Sequence, residues 1–248
     1  SELRSRLIWS VFAFLLCMIC VFPFSKYVFN FLATPITELL SNQNGSSDLI
    51  FTGLQQGFMV NVKISFFGGF IVSFPFIGFQ IWRFIAPGLY KKERLAFLPF
   101  LIASPVLFTI GAAFAYYIVL PLAFNFFLSF QNTSDLNDLV GIKYLGTINE
   151  YLSLTMRFIL AFGICFQLPV LLTLMGKAGL VSAQSLIKVR KYAIVTILVI
   201  AAIVTPPDVV TQVILFSVVY SLYEISILLV KLVERKKEKV LQQMDENV

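Results

Sequence analysis

The chain has 248 residues, of which 58% are hydrophobic and 13% are charged, with a net charge of +6 and no histidine. A soluble domain averages about half apolar and about a quarter charged residues, so this composition excludes one soluble domain and predicts an all-α integral membrane protein. Basic residues cluster beside apolar segments, which indicates membrane topology rather than binding to nucleic acid.

Uncharged runs predict most of the membrane-spanning helices, in chain order. Runs of 19 residues follow Arg6, Lys63 and Arg157. Each is about 28 Å long as a helix, close to the hydrocarbon thickness of a bilayer. Residues 192–207 give a fifth helix and residues 209–230 a sixth, and both of these helices are predicted to be short.

Residues 95–134 carry no formal charge and fit either one long helix with a loop or a hairpin of two helices. One helix gives six spans with both termini in the cytoplasm, fifteen Lys/Arg inside and four outside, whereas a hairpin gives eight inside and eleven outside. The positive-inside rule favours six spans, with the third leaving the bilayer near Pro121. Residues 1–233 then form the transmembrane domain, and residues 234–248 form a charged cytoplasmic tail.

Three outer connections follow from this topology. The first, about residues 34–58, begins with Thr34-Pro35, which predicts the N-cap and first turn of a short surface helix. The second covers about residues 125–157. The third is the run TPPD at 205–208, where Thr205 is the predicted N-cap of helix six and Asp208 favours the positive end of that helix.

Two polar residues interrupt the apolar segments. Gln167 lies about 15 Å into helix four and is followed by Pro169, which predicts a bend there. We expect its amide to hydrogen-bond a neighbouring helix, and the alternative is a polar spot in a substrate groove. Glu224 lies inside helix six, where a carboxylate must pair, protonate or face water, and a pair with a basic side chain or snorkelling is the simplest interpretation.

No motif indicates catalysis. The sequence has no Walker A run, no nucleophile elbow and no Cys-rich metal spacing, which predicts a protein that is not an enzyme and holds no cofactor or metal. Any work that it performs must therefore draw on a partner or on the membrane potential.

The basic loop between helices two and three contains one acid, Glu93. Charge alone favours an exposed ion pair with Lys92 or Arg94. However, Glu2 lies at the same predicted membrane face, and two carboxylates on a basic surface select a ligand that fits them well. Guanidinium fits best because it donates bidentate hydrogen bonds, and Phe84 could support it by stacking.

Several segments together resemble one family. They follow the order that the family has, at spacings that fit six helices. They are SELRSRL (1–7), FQIWRFIAPGLYKKER (79–94), FAYYIVLPLAF (114–124), FGICFQLPV (162–170), RKYAIVTILVIAAIVTPPDVVTQ (190–212) and LYEISI (222–227). The chain is similar to the TatC family, the polytopic subunit of the twin-arginine protein translocase. The resemblance covers nearly the whole chain.

The resemblance implies a receptor, in the cytoplasmic (inner) membrane, for the twin-arginine signal peptides of folded precursors, with export driven by the proton-motive force. The residues that it places at the signal-peptide site are Glu2, Leu3, Arg4, Phe84, Pro87, Leu89, Tyr90, Glu93 and Arg94. It also implies single-helix partners of the TatA and TatB type on the last two helices, further copies of the chain in the complex, and contact with membrane lipid.

Intramembrane polar and partner-contact positions form a second predicted set: Gln167, Pro169, Pro206, Pro207, Asp208, Gln212 and Glu224. Many relatives carry glutamate where this chain has Gln167. Two alternatives remain open at this point: a secondary transporter of small solutes, with Gln167 and Glu224 along its path, and a membrane scaffold without a ligand.

Overall fold

The computed structural model describes residues 2–42, 50–85, 94–130, 146–206 and 208–245. These residues form helices, which we number in chain order: α1 (Glu2–Val21), α2 (Ser25–Asn42), α3 (Gln56–Ile85), α4 (Arg94–Phe114), α5 (Leu120–Leu128), α6 (Ile148–Cys165), α7 (Leu168–Lys177), α8 (Ala183–Lys188), α9 (Arg190–Val204) and α10 (Val209–Asp245). The chain forms two compact units, one of residues 1–84 and 112–160 and the other of residues 85–111 and 161–248.

Five helical segments in the described part of the chain are long and apolar enough to cross a membrane. They are Arg4–Ser41, Gln56–Gln80, Phe100–Leu128, Ile148–Lys177 and Val209–Lys237. The prediction of an all-helical membrane protein is therefore confirmed. Helix α9 has the apolar character of a span but only 15 residues, about 22 Å of helix, as expected for a short fifth span.

Residues 94–128 form one continuous helical segment rather than a hairpin. A π-helical turn at Ala115–Val119 joins α4 to α5, and the amide of Leu120 donates to the carbonyl of Ala115. Pro121 has no amide hydrogen, so the wider turn just before it accommodates the missing bond without ending the helix. The second connection is thus shorter than the predicted 125–157, because α5 ends at Leu128 and α6 begins at Ile148.

The predicted helix start at Thr34 is wrong. Helix α2 begins nine residues earlier, at Ser25, directly after a 3₁₀ turn at Phe22–Phe24, so Thr34 and Pro35 lie inside it. The Thr34 hydroxyl donates to the carbonyl of Asn30 at 2.9 Å, a bond that threonine makes within helices.

Two tyrosines explain why α2 continues through Pro35. The proline removes the amide that would bond the carbonyl of Phe31, and the hydroxyl of Tyr116 donates to this carbonyl instead. The hydroxyl of Tyr151 donates to the next carbonyl, that of Leu32. The Tyr116 ring also stacks on Phe31, with centroids 4.5 Å apart. The Tyr116 contact satisfies the carbonyl that loses its partner to Pro35, and the Tyr151 contact fixes the same turn of α2.

Helix six is not short. Helix α10 has 37 residues and continues to Asp245, so no helix end marks the predicted boundary at residue 233. Its last part is rich in Lys, Glu, Gln and Leu and contains neither Gly nor Pro, a composition that favours helix. Glu234 also anchors it, because its Oε1 accepts a hydrogen bond from the amide of Ala183 at 3.1 Å.

Close backbone approach joins helices within each unit. A Cβ at Gly69 of α3 would lie 2.8 Å from the Cα and N atoms of Met18 in α1, and the rings of Phe14 and Phe66 meet edge to face at 4.9 Å. In the second unit, a Cβ at Gly111 would lie 2.7 Å from the carbonyl oxygen of Phe162. Both glycines permit distances between helices that any larger residue would prevent.

Candidate functional site

The start of α1 and the end of α3 lie at the same end of the first unit. Val21 of α1 lies against Gly68, about 18 Å beyond the start of α3. Further along the chain, Leu32 contacts Tyr151 in the first turn of α6. The starts of α3 and α6 adjoin, because Ile50 bridges to the residues that precede α6. The path from α1 into α2 is therefore antiparallel to α3.

This antiparallel path places Glu2 and Phe84 at similar positions along the helix axes. From the contact between Met18 and Gly69, the chain extends about 24 Å along α1 to Glu2 and about 22 Å along α3 to Phe84. Two predicted signal-peptide positions that are 82 residues apart in sequence thus belong to one end of the unit.

The rest of the predicted signal-peptide site is described only in part. Arg4 is exposed on the first turn of α1, and Arg94 is the first residue of α4. The side chains of Glu2, Leu3, Phe84 and Arg94 and the whole of Pro87, Leu89, Tyr90 and Glu93 lie outside the described residues. The pairing of the two acids stays a prediction.

Gln167 marks a break in helix four, as predicted. Phe166 and Gln167 form a turn between α6 and α7, and Pro169 lies in the first turn of α7. The Gln167 amide makes two hydrogen bonds to α4: Oε1 accepts from the Ser104 hydroxyl at 2.7 Å, and Nε2 donates to the Ser104 carbonyl at 3.0 Å. The prediction that this amide bonds a neighbouring helix is confirmed.

Glu224 pairs with a basic side chain, as the simplest interpretation predicted. Its Oε2 lies 2.6 Å from Nη2 of Arg190, at the start of α9. Its Oε1 accepts a hydrogen bond from the Tyr220 hydroxyl, one turn earlier in α10, at 2.9 Å. The neighbouring Tyr223 hydroxyl donates to the carbonyl of Leu186 in α8. This polar cluster holds the adjoining ends of α8 and α9 against α10.

The N-cap of α10 is Asp208, and the prediction of Thr205 is wrong. Asp208 Oδ2 accepts from the amide of Thr211 at 2.7 Å, and Oδ1 accepts from the hydroxyl of the same residue at 2.6 Å. Thr205 instead ends α9, where its hydroxyl bonds the carbonyl of Ala201. Asp208 provides two acceptors and a negative charge at the positive helix end, so it is the better cap.

Two further members of the predicted partner-contact set adjoin this cap. Pro206 lies in the short turn after Thr205, and Pro207 lies outside the described residues. Gln212, in the first turn of α10, places its Nε2 3.4 Å from the carbonyl of Leu198 in α9. The amide therefore connects the two helices at the end where the chain turns.

Sequence reasoning missed one polar cluster. Lys63 of α3 donates to Asn149 Oδ1 at 2.6 Å and lies 3.3 Å from Ser153 Oγ, both in α6. The partners are more than 80 residues away in sequence, and no local pattern connects them. In the described part of the chain, no group of three or more His, Cys, Asp or Glu residues could hold a metal ion.

Comparison with known proteins gives a consistent result. The family model "Sec-independent protein translocase protein (TatC)" matches residues 1–217. A TatC protein of Magnetococcus marinus is 48% identical over 236 residues, covering 95% of this chain and 83% of that protein. A TatC protein of Aquifex aeolicus is 43% identical over 239 residues, covering 96% of this chain and 95% of that protein.

A solved structure also matches the chain. The crystal structure described as the twin arginine translocase receptor TatC superimposes with a TM-score of 0.81 at 42% identity. The match covers 94% of this chain and 98% of that one. The likeness therefore includes sequence, length and fold.

Proposed function

Since the chain belongs to the TatC family of Sec-independent protein translocase proteins, a family of transport components and not of enzymes, we propose that it binds twin-arginine signal peptides where α1 begins and α3 ends. The observation that carries this proposal is the antiparallel path of α1–α2 and α3, which supports a common surface for Glu2 and Phe84. The structure described as a twin arginine translocase receptor, 42% identical, supports the same function.

In this proposal, Glu93 and Glu2 form an anionic site that is surrounded by basic side chains. The neighbouring cations repel most positively charged ligands, so binding requires a group that fits both carboxylates. Two adjacent guanidinium groups meet this requirement through bidentate hydrogen bonds, and Phe84 supports them by stacking. Leu3, Arg4, Pro87, Leu89, Tyr90 and Arg94 complete the surface and shape the loop.

The proposed topology has six spans and places both termini in the cytoplasm of a bacterial inner membrane. Helix α9 is the additional short span, and its exposed apolar side chains, among them Val195, Val199 and Ile203, suit a lipid or helical neighbour. Single-helix subunits of the TatA and TatB type pack on α9 and α10. Further copies of the chain join the complex, and the proton-motive force drives the export of folded precursors.

The solute-transporter alternative has less support. It requires Gln167 and Glu224 to present free polar groups along a path, and both side chains bind other residues of the chain. Each oxygen of the Glu224 carboxylate already accepts one hydrogen bond, from Arg190 and from Tyr220, so a solute would have to compete with these partners.

Crosslinking tests the proposed receptor function. An aromatic photoreactive amino acid at position 84 of the full chain, in membranes, should crosslink an Arg-Arg signal peptide, and adding Glu93→Lys to this chain should abolish the product. A Lys-Lys peptide should crosslink less, because ammonium cannot form the planar bidentate contact. Glu38→Lys, which inverts an exposed charge on α2, is the matched control. Equal crosslinking by the Glu93→Lys variant would remove Glu93 from the site.

A further inference from the structure

The Lys63 cluster has no counter-ion in the described part of the chain. The ammonium group lies 2.6 Å from the amide oxygen of Asn149 and 3.3 Å from the hydroxyl of Ser153, both of them neutral partners. No carboxylate among the described residues pairs with it. The amide oxygen of Asn149 accepts from the lysine, so its NH₂ group remains as a donor beside the ammonium.

A second cation lies on the face of α6 that carries Asn149 and Ser153. Asn149, Ser153 and Arg157 are spaced by four residues along α6, so their side chains form one row. Arg157 lies about 6 Å further along the axis than Ser153 and is exposed, and it has no carboxylate partner among the described residues. Lys63 and Arg157 therefore place two positive charges on one surface.

Both cations lie at the border of an apolar segment. Lys63 directly precedes the uncharged residues 64–82, and Arg157 directly precedes the uncharged residues 158–176. The helices that carry them start side by side, since Ile50 donates to Gly146 at 3.0 Å and accepts from Ile148 at 3.2 Å. The two charges then lie within about 12 Å of each other along the helix axis, near the depth where apolar helix surface meets lipid headgroups.

We propose that Lys63, Arg157, Asn149 and Ser153 form a binding site for the phosphate group of an anionic membrane lipid. Among the described residues neither cation has a counter-ion, which is costly at the hydrocarbon border, and the lipid phosphate is the anion that a membrane supplies at this depth. The guanidinium of Arg157 binds two phosphate oxygens, while the ammonium of Lys63, oriented by α6, binds as a point charge.

This geometry favours a net anionic lipid such as phosphatidylglycerol. A phosphatidylcholine headgroup would bring its own quaternary ammonium close to two protein cations, and like charges repel. The site belongs to the first unit alone and does not depend on which side of the membrane the termini occupy. It therefore stands apart from the proposed signal-peptide surface.

Native mass spectrometry of the full chain in detergent, titrated with phosphatidylglycerol or phosphatidylcholine, tests the proposal. Each basic side chain near a lipid surface contributes about fivefold in affinity, so Lys63→Gln and Arg157→Gln should each weaken phosphatidylglycerol binding about fivefold and the double variant about 25-fold. Lys63→Arg should retain binding. Lys26→Gln is the matched control, since Lys26 is an exposed cation at the end of an uncharged run of 19 residues.

Three outcomes overturn the proposal. Equal affinity of the wild type and the double variant, with both monodisperse in gel filtration, removes the site. An equal loss for Lys26→Gln shows that any cation at the border suffices. Displacement of phosphatidylglycerol by millimolar inorganic phosphate shows a site for phosphate rather than for lipid. Selective loss in the Lys63 and Arg157 variants, with rescue by Lys63→Arg, supports it.

Discussion

Replacing Glu224 by alanine should lower the apparent Tm of the protein in detergent by about 2–4 °C. The carboxylate lies 2.6 Å from Arg190 Nη2 and accepts from the Tyr220 hydroxyl at 2.9 Å. The side chains of Arg190 and Glu224 are 42% and 32% exposed, so solvent screening limits their ion pair to about 1 kcal/mol. For a chain of this size, each kcal/mol corresponds to about 2–4 °C.

A double-mutant cycle separates the two contacts. Arg190→Ala and Glu224→Ala, alone and together, should show a coupling of about 1 kcal/mol, and Tyr220→Phe, which removes only the hydroxyl, should leave this coupling in place. Arg190 Nε is already buried without a partner, so the loss of Glu224 leaves the guanidinium poorly satisfied. Glu38→Ala removes an exposed acid from α2 and should change stability by less than about 0.5 kcal/mol.

Additive effects of the Arg190 and Glu224 substitutions, within about 0.3 kcal/mol, would refute the coupling. Additivity would mean that the contact exists without energetic coupling, as for many exposed ion pairs. A Tm loss in Glu38→Ala equal to that in Glu224→Ala would point to a general effect of net charge instead.

Two further predictions follow from local geometry. Gln167→Glu replaces the Nε2 donor to the Ser104 carbonyl by a carboxylate oxygen. This variant should be destabilised by about 1–3 kcal/mol in thermal unfolding. Stability should recover in part at acidic pH, because the protonated carboxyl can donate to the carbonyl again. Gly69→Ala places a Cβ 2.8 Å from the Met18 backbone and should cost about 1–3 kcal/mol. A Cβ at Gly57 would lie 3.9 Å from its nearest neighbouring atom, so Gly57→Ala should be neutral or stabilising. Equal losses of stability in Gly57→Ala and Gly69→Ala would contradict close helix packing at Gly69.

Features encoded by nearby residues could be predicted from the sequence. Charges at the borders of uncharged runs identified most of the spans, because the hydrocarbon core excludes charge. Pro169 identified the helix break, because a proline removes one backbone hydrogen bond wherever it occurs. The need for partners at Gln167 and Glu224 was also predictable, because buried polar groups must be satisfied. Ser104 and Arg190, which satisfy them, come from other helices and were not named.

Features that depend on distant residues could not be predicted. Thr34-Pro35 has the local pattern of a helix start, but Tyr116 bonds the carbonyl that the proline leaves without an amide, and α2 continues. The choice between Thr205 and Asp208 as the cap of α10 depends on where the chain turns, and both residue types are good caps. Of the signal-peptide site, only the common end of α1 and α3 can be argued from the structure.

The positions of the polar groups favour a receptor whose specificity lies at the helix ends. Inside the apolar segments, Gln167 and Glu224 each bond to another helix, so these groups stabilise helix packing. Groups of this kind hold a scaffold in one arrangement but leave few free donors or acceptors for a ligand. Charged groups near helix ends, such as Arg4 of α1, remain exposed. A peptide recognised by its paired arginines binds carboxylates, and in the proposed function these are Glu2 and Glu93, near the helix ends.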